Sequence, residues 1–211
     1  MKALKKVLLG VLSLACVVTA SVALTACNSA GGTTQEQEST SETTEEQEST
    51  SETTEEQEGT DGLEYYPVPD GYAVDQGDAM YLEEIVIPST YKGKAVTALA
   101  DNAFSEAKVK SITIPDSVTS IGNSAFKSCS NLTSVVIPDG VTSIGNQAFY
   151  NCSSLTRVYY KGSASDWNNV YIYSLGNNYL TNATRYYYSE SQPTESGNYW
   201  HYDENGEVVV W

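Results

Sequence analysis

From residue 82 onward the apolar positions recur as aliphatic-x-x-aliphatic-x-apolar: Leu82, Ile85, Ile87; then Val109, Ile112, Ile114; then Leu132, Val135, Ile137; then Leu155, Val158, Tyr160. The last three residues of each segment alternate with period two, which predicts a short strand with two side chains inward and one outward. Pro88, Pro115 and Pro138 follow the first three strands, where a missing amide proton is tolerated because the strand is ending. Beyond the prolines, Val118, Ile121, Ala125 and Phe126 in one unit and Val141, Ile144, Ala148 and Phe149 in the next supply the remaining walls of a coil. Gly122 and Gly145 are expected to turn the chain at positive φ before the Ala-Phe step. Residues 114–126 and 137–149 are offset by 23, and eleven of their thirteen positions are identical. A looser copy runs from Ile87-Pro88, through an insertion around Tyr91-Lys92-Gly93-Lys94, to Ala103-Phe104. No unit can bury these residues alone. Stacked at the ~4.8 Å strand spacing, like side chains pile on like and form a continuous core, with Phe104, Phe126 and Phe149 in one column.

The ends of such a stack need covering. Residues 63–81, with Leu63, Tyr65, Tyr66, Tyr72 and Tyr81, read as an N-terminal cap, residues 82–160 as the repeats, and residues 161–211 as a C-terminal cap. Beyond Phe149 lie 11 of the 16 tyrosines and all three tryptophans. Trp167, Val170, Ile172, Leu175, Leu180 and Ala183 continue one irregular coil. Residues 199–211 then read as a β-hairpin with Asn205-Gly206 in the turn, a pair that favours a two-residue primed turn.

The N-terminal region is of a different kind. Residues 1–26 start with Lys2, Lys5 and Lys6 and continue in an apolar run from Val7 to Leu24, the pattern of a secretory signal. An uncleaved membrane-spanning anchor is the alternative that this run length permits. Leu24-Thr25-Ala26-Cys27 resembles a bacterial lipobox, which implies diacylglycerol on Cys27 and removal of the residues before it. Residues 27–62 follow as a linker. Within it, residues 36–45 are repeated residue for residue as 46–55, and a third copy decays into Gly59-Thr60. Ten glutamates and almost nothing apolar predict a disordered stalk. As a flexible coil of roughly 35 residues its ends would lie ~30–36 Å apart.

The pattern Leu-x-x-Val-x-Ile-Pro-x-x-Val-x-x-Ile-Gly-x-x-Ala-Phe-x-x-Cys-x-x-Leu, from Leu132 to Leu155, resembles the BspA-type leucine-rich repeat of bacterial surface proteins. The likeness extends over about residues 82–160. It implies a leucine-rich repeat solenoid with a short parallel β-sheet on one face, and a surface used for adhesion or protein recognition. Residues 167–211 also resemble the tail that ends many short lipoproteins of this kind.

Charge and rare residues narrow the chemistry. The net charge is −16, and past residue 6 the chain holds 8 basic against 27 acidic side chains, which excludes a nucleic-acid partner and leaves the lipid as the only contact with a membrane. One histidine and four cysteines are too few for a finger-type zinc cluster, and no cofactor motif is present. His201 sits among aromatics without a nucleophile at a telling spacing. Asp203-x-Asn205-Gly206 lacks the bidentate glutamate of a calcium loop and reads as a turn. Asp166, Glu190 and Glu195 lie near aromatics, but a repeat stack offers no cleft for two catalytic carboxylates, so a hydrolase is disfavoured and the chain is not expected to be an enzyme. Cys129 and Cys152, 23 apart, occupy equivalent places on adjacent coils, either as a buried thiol ladder or as a bridge.

Two surfaces remain as candidates. Alternation sends Val86, Thr113, Val136 and Tyr159 to the outer face of the strands, with Ser134 and Arg157 beside them, a small and partly apolar row suited to an extracellular protein partner. The alternative is a glycan- or cell-wall-binding cluster of Tyr171, Tyr173, Tyr186, Tyr187 and Tyr188, whose rings could stack on sugars. Both rows also have a purely structural reading, an ordinary sheet face and an end cap respectively.

Overall fold

The computed structural model describes residues 59–211, where short runs of alternating character form the repeat strands. The expected signal segment, Cys27 and the acidic linker as far as residue 58 lie outside the described residues. The N-terminal part comprises β1 (Glu64–Val68), β2 (Gly71–Asp75), a 3-10 turn (Gly77–Tyr81), β3 (Glu84–Val86), β4 (Thr90–Tyr91) and β5 (Lys94–Leu99). The central turns contribute β6 (Ser111–Thr113), β7 (Ser120–Ile121), β8 (Ser134–Ile137), β9 (Ser143–Ile144) and β10 (Arg157–Tyr160). The last part holds helix α1 (Ala164–Trp167), β11 (Tyr171–Ile172), helix α2 (Asn178–Asn182), β12 (Thr184–Tyr188), β13 (Tyr199–Tyr202) and β14 (Val208–Val210).

Each turn of the coil gives one strand to each of two sides. On one side β2, β5, β7, β9 and β11 run parallel in that order, with β1 added antiparallel outside β2. On the other side β3 pairs with β6, and β8, β10, β12 and β13 form a parallel set closed by antiparallel β14. The register sets Leu99, Ile121, Ile144 and Ile172 in one column, and Ile137 beside Tyr160 beside Tyr187 in another. Phe104 stacks on Phe126 at 5.6 Å between ring centroids, and Phe126 on Phe149 at 5.0 Å. All three rings are fully buried, so the solenoid expected from the sequence is the fold. The aromatic C-terminal segment continues it, since β11 extends one side and β12 the other.

One expectation about the turns is corrected. Gly122 and Gly145 do not lie in the left-handed region; Asn102, Ser124 and Gln147 do, as do Glu106, Ser128 and Asn151 further round each turn. Left-handed backbone costs a non-glycine residue on the order of 1 kcal/mol. The cost is offset because Asn102, Ser124 and Gln147 each donate the amide to the next turn, at 2.8, 2.8 and 2.6 Å. The glycines are there for space. A Cβ on Gly145 would stand 2.6 Å from Asn123 N and 2.7 Å from Gly122 C, both rigid backbone. Gly145→Ala is therefore expected to lower stability by about 1–3 kcal/mol through overpacking, measurable by urea denaturation.

The ends show further differences. Leu82 heads the first repeat yet is 43% exposed, because among the described residues no turn of the same kind lies before it to cover that position. Order begins ahead of Leu63, since Thr60 N donates to Val86 O and Val86 N to Thr60 Oγ1. The primed two-residue turn lies in the insertion, where Lys92 and Gly93 both have positive φ between β4 and β5. The terminal hairpin instead uses a wider loop. Gly206 N donates to Asp203 O, Asp203 N to Glu207 O, and Gly206 alone is left-handed, which is a type I turn followed by a bulge. The Asp203 carboxylate accepts the amides of Glu207 and Asn205, and those donors hold it below the usual carboxylate range.

The two repeat cysteines are free, buried thiols. Cys129 Sγ donates to Phe104 O and Cys152 Sγ to Phe126 O, each at 2.9 Å, so each thiol caps a carbonyl of the preceding turn. Burial pushes both pKa values up to about 12, leaving them protonated, and so unreactive, near neutral pH. We expect iodoacetamide at pH 8 to leave both unmodified in the folded protein and to modify both in urea, read by mass spectrometry; rapid native labelling at either one contradicts this burial.

Candidate functional site

The outer side chains of β6, β8 and β10 floor a groove of about 980 Å³. Thr113, Ser134, Val136, Arg157 and Tyr159 from the expected row line it, and Ser111 and Ser117 add hydroxyls. Val86 does not take part; it is half-buried beneath Thr60. The opposite wall is the terminal hairpin, which contributes Tyr202, Gly206, Glu207 and Val208. Residues from β6 and from the β13–β14 hairpin line one cavity, so the hairpin faces the earlier strands across it.

Trp200 holds that wall. It is 0% exposed although it lies on β13 near the end of the chain. Its Nε1–H donates to Tyr160 O at 2.9 Å, and its ring packs against Tyr159, Tyr188 and Tyr202 with centroids 5.6, 5.2 and 4.9 Å away. Tyr159 thus points outward as expected but is only 7% exposed, wedged between Tyr186 and Trp200. Burial raises its pKa.

A charged clasp closes one end. Lys161 Nζ lies 2.6 Å from Asp116 Oδ1 and 5.5 Å from the ring centroid of Tyr202. Burial raises the Tyr202 pKa, with Lys161 acting against the shift. Lys161 stands where the earlier repeats carry Pro88, Pro115 and Pro138, and it uses the restored amide to donate to Ile137 O at 3.0 Å. That substitution is the signal in the sequence that would have singled it out. For Trp200 and Tyr202 the alternation of β13 shows only that they share a face; nothing local says which surface that face covers. The Arg157 side chain has no ion-pair or hydrogen-bond partner among the described residues, so the groove floor offers one unengaged guanidinium.

The alternative tyrosine cluster is divided. Tyr186 and Tyr188 lie on the groove side, while Tyr187 packs against the core. Tyr171 and Tyr173 pair edge to face at 4.7 Å beside β11, on the other side of the coil, and Tyr171 is 63% exposed. His201 stacks on Trp211 at 3.9 Å and its Nδ1 lies 3.0 Å from Tyr202 O. Asp166 closes a capping box with Ser163 at the start of α1, a structural use of its carboxylate. Among the described residues no cluster of three His, Cys, Asp or Glu side chains is placed to hold a metal, and no helix is long and apolar enough to cross a membrane.

No curated protein matches the chain. Among solved structures it is similar to a leucine-rich repeat protein of T. pallidum, at 22% identity and a TM-score of 0.47, covering 61% of this chain and 69% of that one. It is also similar to a leucine-rich repeat protein of Bacteroides capillosus, at 24% identity and a TM-score of 0.44, covering 61% of this chain and 95% of that one. A leucine-rich cell surface protein of Faecalibacterium prausnitzii is a third, at 20% identity and a TM-score of 0.40, covering 73% of this chain and 61% of that one. Residues 78–185 match the model of the family described as BspA type Leucine rich repeat region, in 6 copies, a span that runs past Tyr160 to include β11, α2 and the start of β12. With the repeats in register and more than half of its length matched, the chain belongs to the BspA-type leucine-rich repeat family.

Proposed function

We propose that this chain is an extracellular lipoprotein, anchored through acylated Cys27 to the outer side of a bacterial membrane, whose groove recognises a segment of a partner protein without chemically altering it. The observation that carries the reading is the groove itself: a polar and aliphatic floor of Thr113, Ser134, Val136 and Arg157 facing a hairpin wall. A recess of this size takes an anchor residue of a partner, and the half-buried Val136 and unengaged Arg157 supply the apolar and charged contacts that such anchors use. The signal-like residues 1–26 and the lipobox-like residues 24–27 support the location.

The test is cross-linking of the full-length protein to surface proteins of intact cells, followed by identification of the captured partner. Val136→Asp and Arg157→Glu are expected to cut capture about tenfold, and Tyr171→Ala to leave it unchanged. Equal capture by all the variants overturns the groove assignment. In the same cells, Cys27→Ala should abolish incorporation of an alkyne-labelled fatty acid; continued labelling overturns the anchor.

A further inference from the structure

A second cavity, of about 580 Å³, lies where the chain enters β10 and β12, against α2, lined by Leu155, Thr156, Asn178, Tyr179, Asn182 and Thr184 together with Ala183. Its volume is within the range of small-ligand sites. No charged side chain lines it. The lining comes from two stretches, residues 140–156 and 167–184, that contain no charged residue at all, in a chain whose net charge is −16. The basic residues next along the chain are turned to other uses: Arg157 floors the groove, and the Arg185 guanidinium lies 4.3 Å over the Trp167 ring.

What the cavity offers is a ring, two carboxamides and two hydroxyls. Asn178 and Asn182 are four residues apart on α2 and so share a face. Neither side chain has a hydrogen-bond partner among the described residues; their carboxamides are free to donate and accept. Tyr179 is 39% exposed beside them. Thr184, at the start of β12, presents a hydroxyl, and Thr156, just before β10, presents one whose proton goes to Thr133 O at 3.5 Å and whose lone pairs remain to accept.

We infer that this cavity is a second binding site, for neutral carbohydrate. A sugar ring has an apolar face that packs on a phenol ring, and hydroxyls that each donate and accept, which carboxamides and hydroxyls satisfy in both directions. A carboxylated or sulfated ligand finds no cation here, and the surrounding negative field repels it. Of the tryptophan, tyrosine and arginine side chains that anchor protein contacts, this surface holds Tyr179 alone. The site is independent of the groove and stands whether or not the groove reading holds.

Saturation-transfer NMR on the full-length protein, with chitotetraose, cellotetraose and maltotetraose as neutral probes and tetragalacturonate as the acidic one, tests this. At least one neutral probe is expected to bind and the acidic one not. Tyr179→Ala, and separately the Asn178→Ala/Asn182→Ala pair, should weaken the neutral probe about fivefold to tenfold, while Tyr179→Phe retains it. Circular dichroism and the unfolding midpoint of each variant separate loss of binding from loss of fold. Binding of tetragalacturonate alone, no binding by any neutral probe, or a Tyr179→Ala variant that binds as the parent does overturns the inference. So does a concentration-dependent dimer in sedimentation that Tyr179→Ala abolishes, because the cavity would then belong to an interface between two copies.

Discussion

Phe126→Ala is expected to destabilise the folded region by about 3–5 kcal/mol, the range for emptying a fully buried aromatic site. Phe126 has Phe104 on one side and Phe149 on the other, at 5.6 and 5.0 Å, and all three are fully buried. Removing the middle ring leaves a void with an aromatic on each side, and the turns cannot close over it. The backbone is pinned there: Phe104 N donates to Ala125 O at 2.6 Å, and Phe126 N to Ala148 O at 2.7 Å. Since whole domains are commonly stable by only about 5–15 kcal/mol, the loss is a large share of the total. Urea denaturation followed by circular dichroism checks it. Phe126→Leu, which keeps most of the volume, should lose clearly less; equal losses for the two would mean that the column does not act as packed volume.

Trp200→Ala carries a comparable expected loss, about 3–5 kcal/mol, but of a different kind. The indole is the largest fully buried side chain described. Its removal deletes three ring contacts and leaves Tyr160 O without the indole donor. Loss of that hydrogen bond adds about 0.5–1.5 kcal/mol to the packing loss. Because β13 and β14 are the last strands of their sheet, the loss should first appear as local opening of the hairpin, with the repeats still folded. Hydrogen exchange is the measurement: amides of residues 199–210 should lose protection at least a hundredfold while those of β8 and β10 change little. Unchanged protection at β13 would show that the hairpin is held by other contacts. Trp200→Phe, which retains a ring but no N–H, should fall between the two proteins.

The two effects also mark how much the sequence discloses. The phenylalanine column is legible because residues 114–126 and 137–149 are nearly identical at an offset of 23, and identical segments in a stack must present identical side chains at each level. Ile85, Ile112, Val135 and Val158 are legible for the same reason, and all are buried. Leu82 obeys the same pattern and is exposed, because periodicity says what a position is within a turn but not whether a neighbouring turn exists to cover it. Gly122 and Gly145 are readable as special positions, yet the choice between dihedral freedom and close backbone approach depends on the distance to the adjacent turn, which one sequence does not contain. The groove floor follows from strand alternation. Its far wall does not, because the burial of Tyr159 and the position of Tyr202 depend on where a hairpin some 40 residues later lands. The expected tyrosine cluster divides for a related reason: consecutive residues of β12 face opposite ways, and β11 belongs to the other sheet.

Around Phe126, the backbone bonds that leave a turn run to the turn before or the turn after, as Thr119 to Thr97, Thr142 to Thr119 and Ser124 to Asn146 show. A gene segment encoding one whole winding could therefore be duplicated or excised by misaligned recombination between its near-identical copies, and the flanking windings would find equivalent partners across the junction. Lineages can change the reach of such a protein in whole steps, keeping both end pieces and redesigning neither.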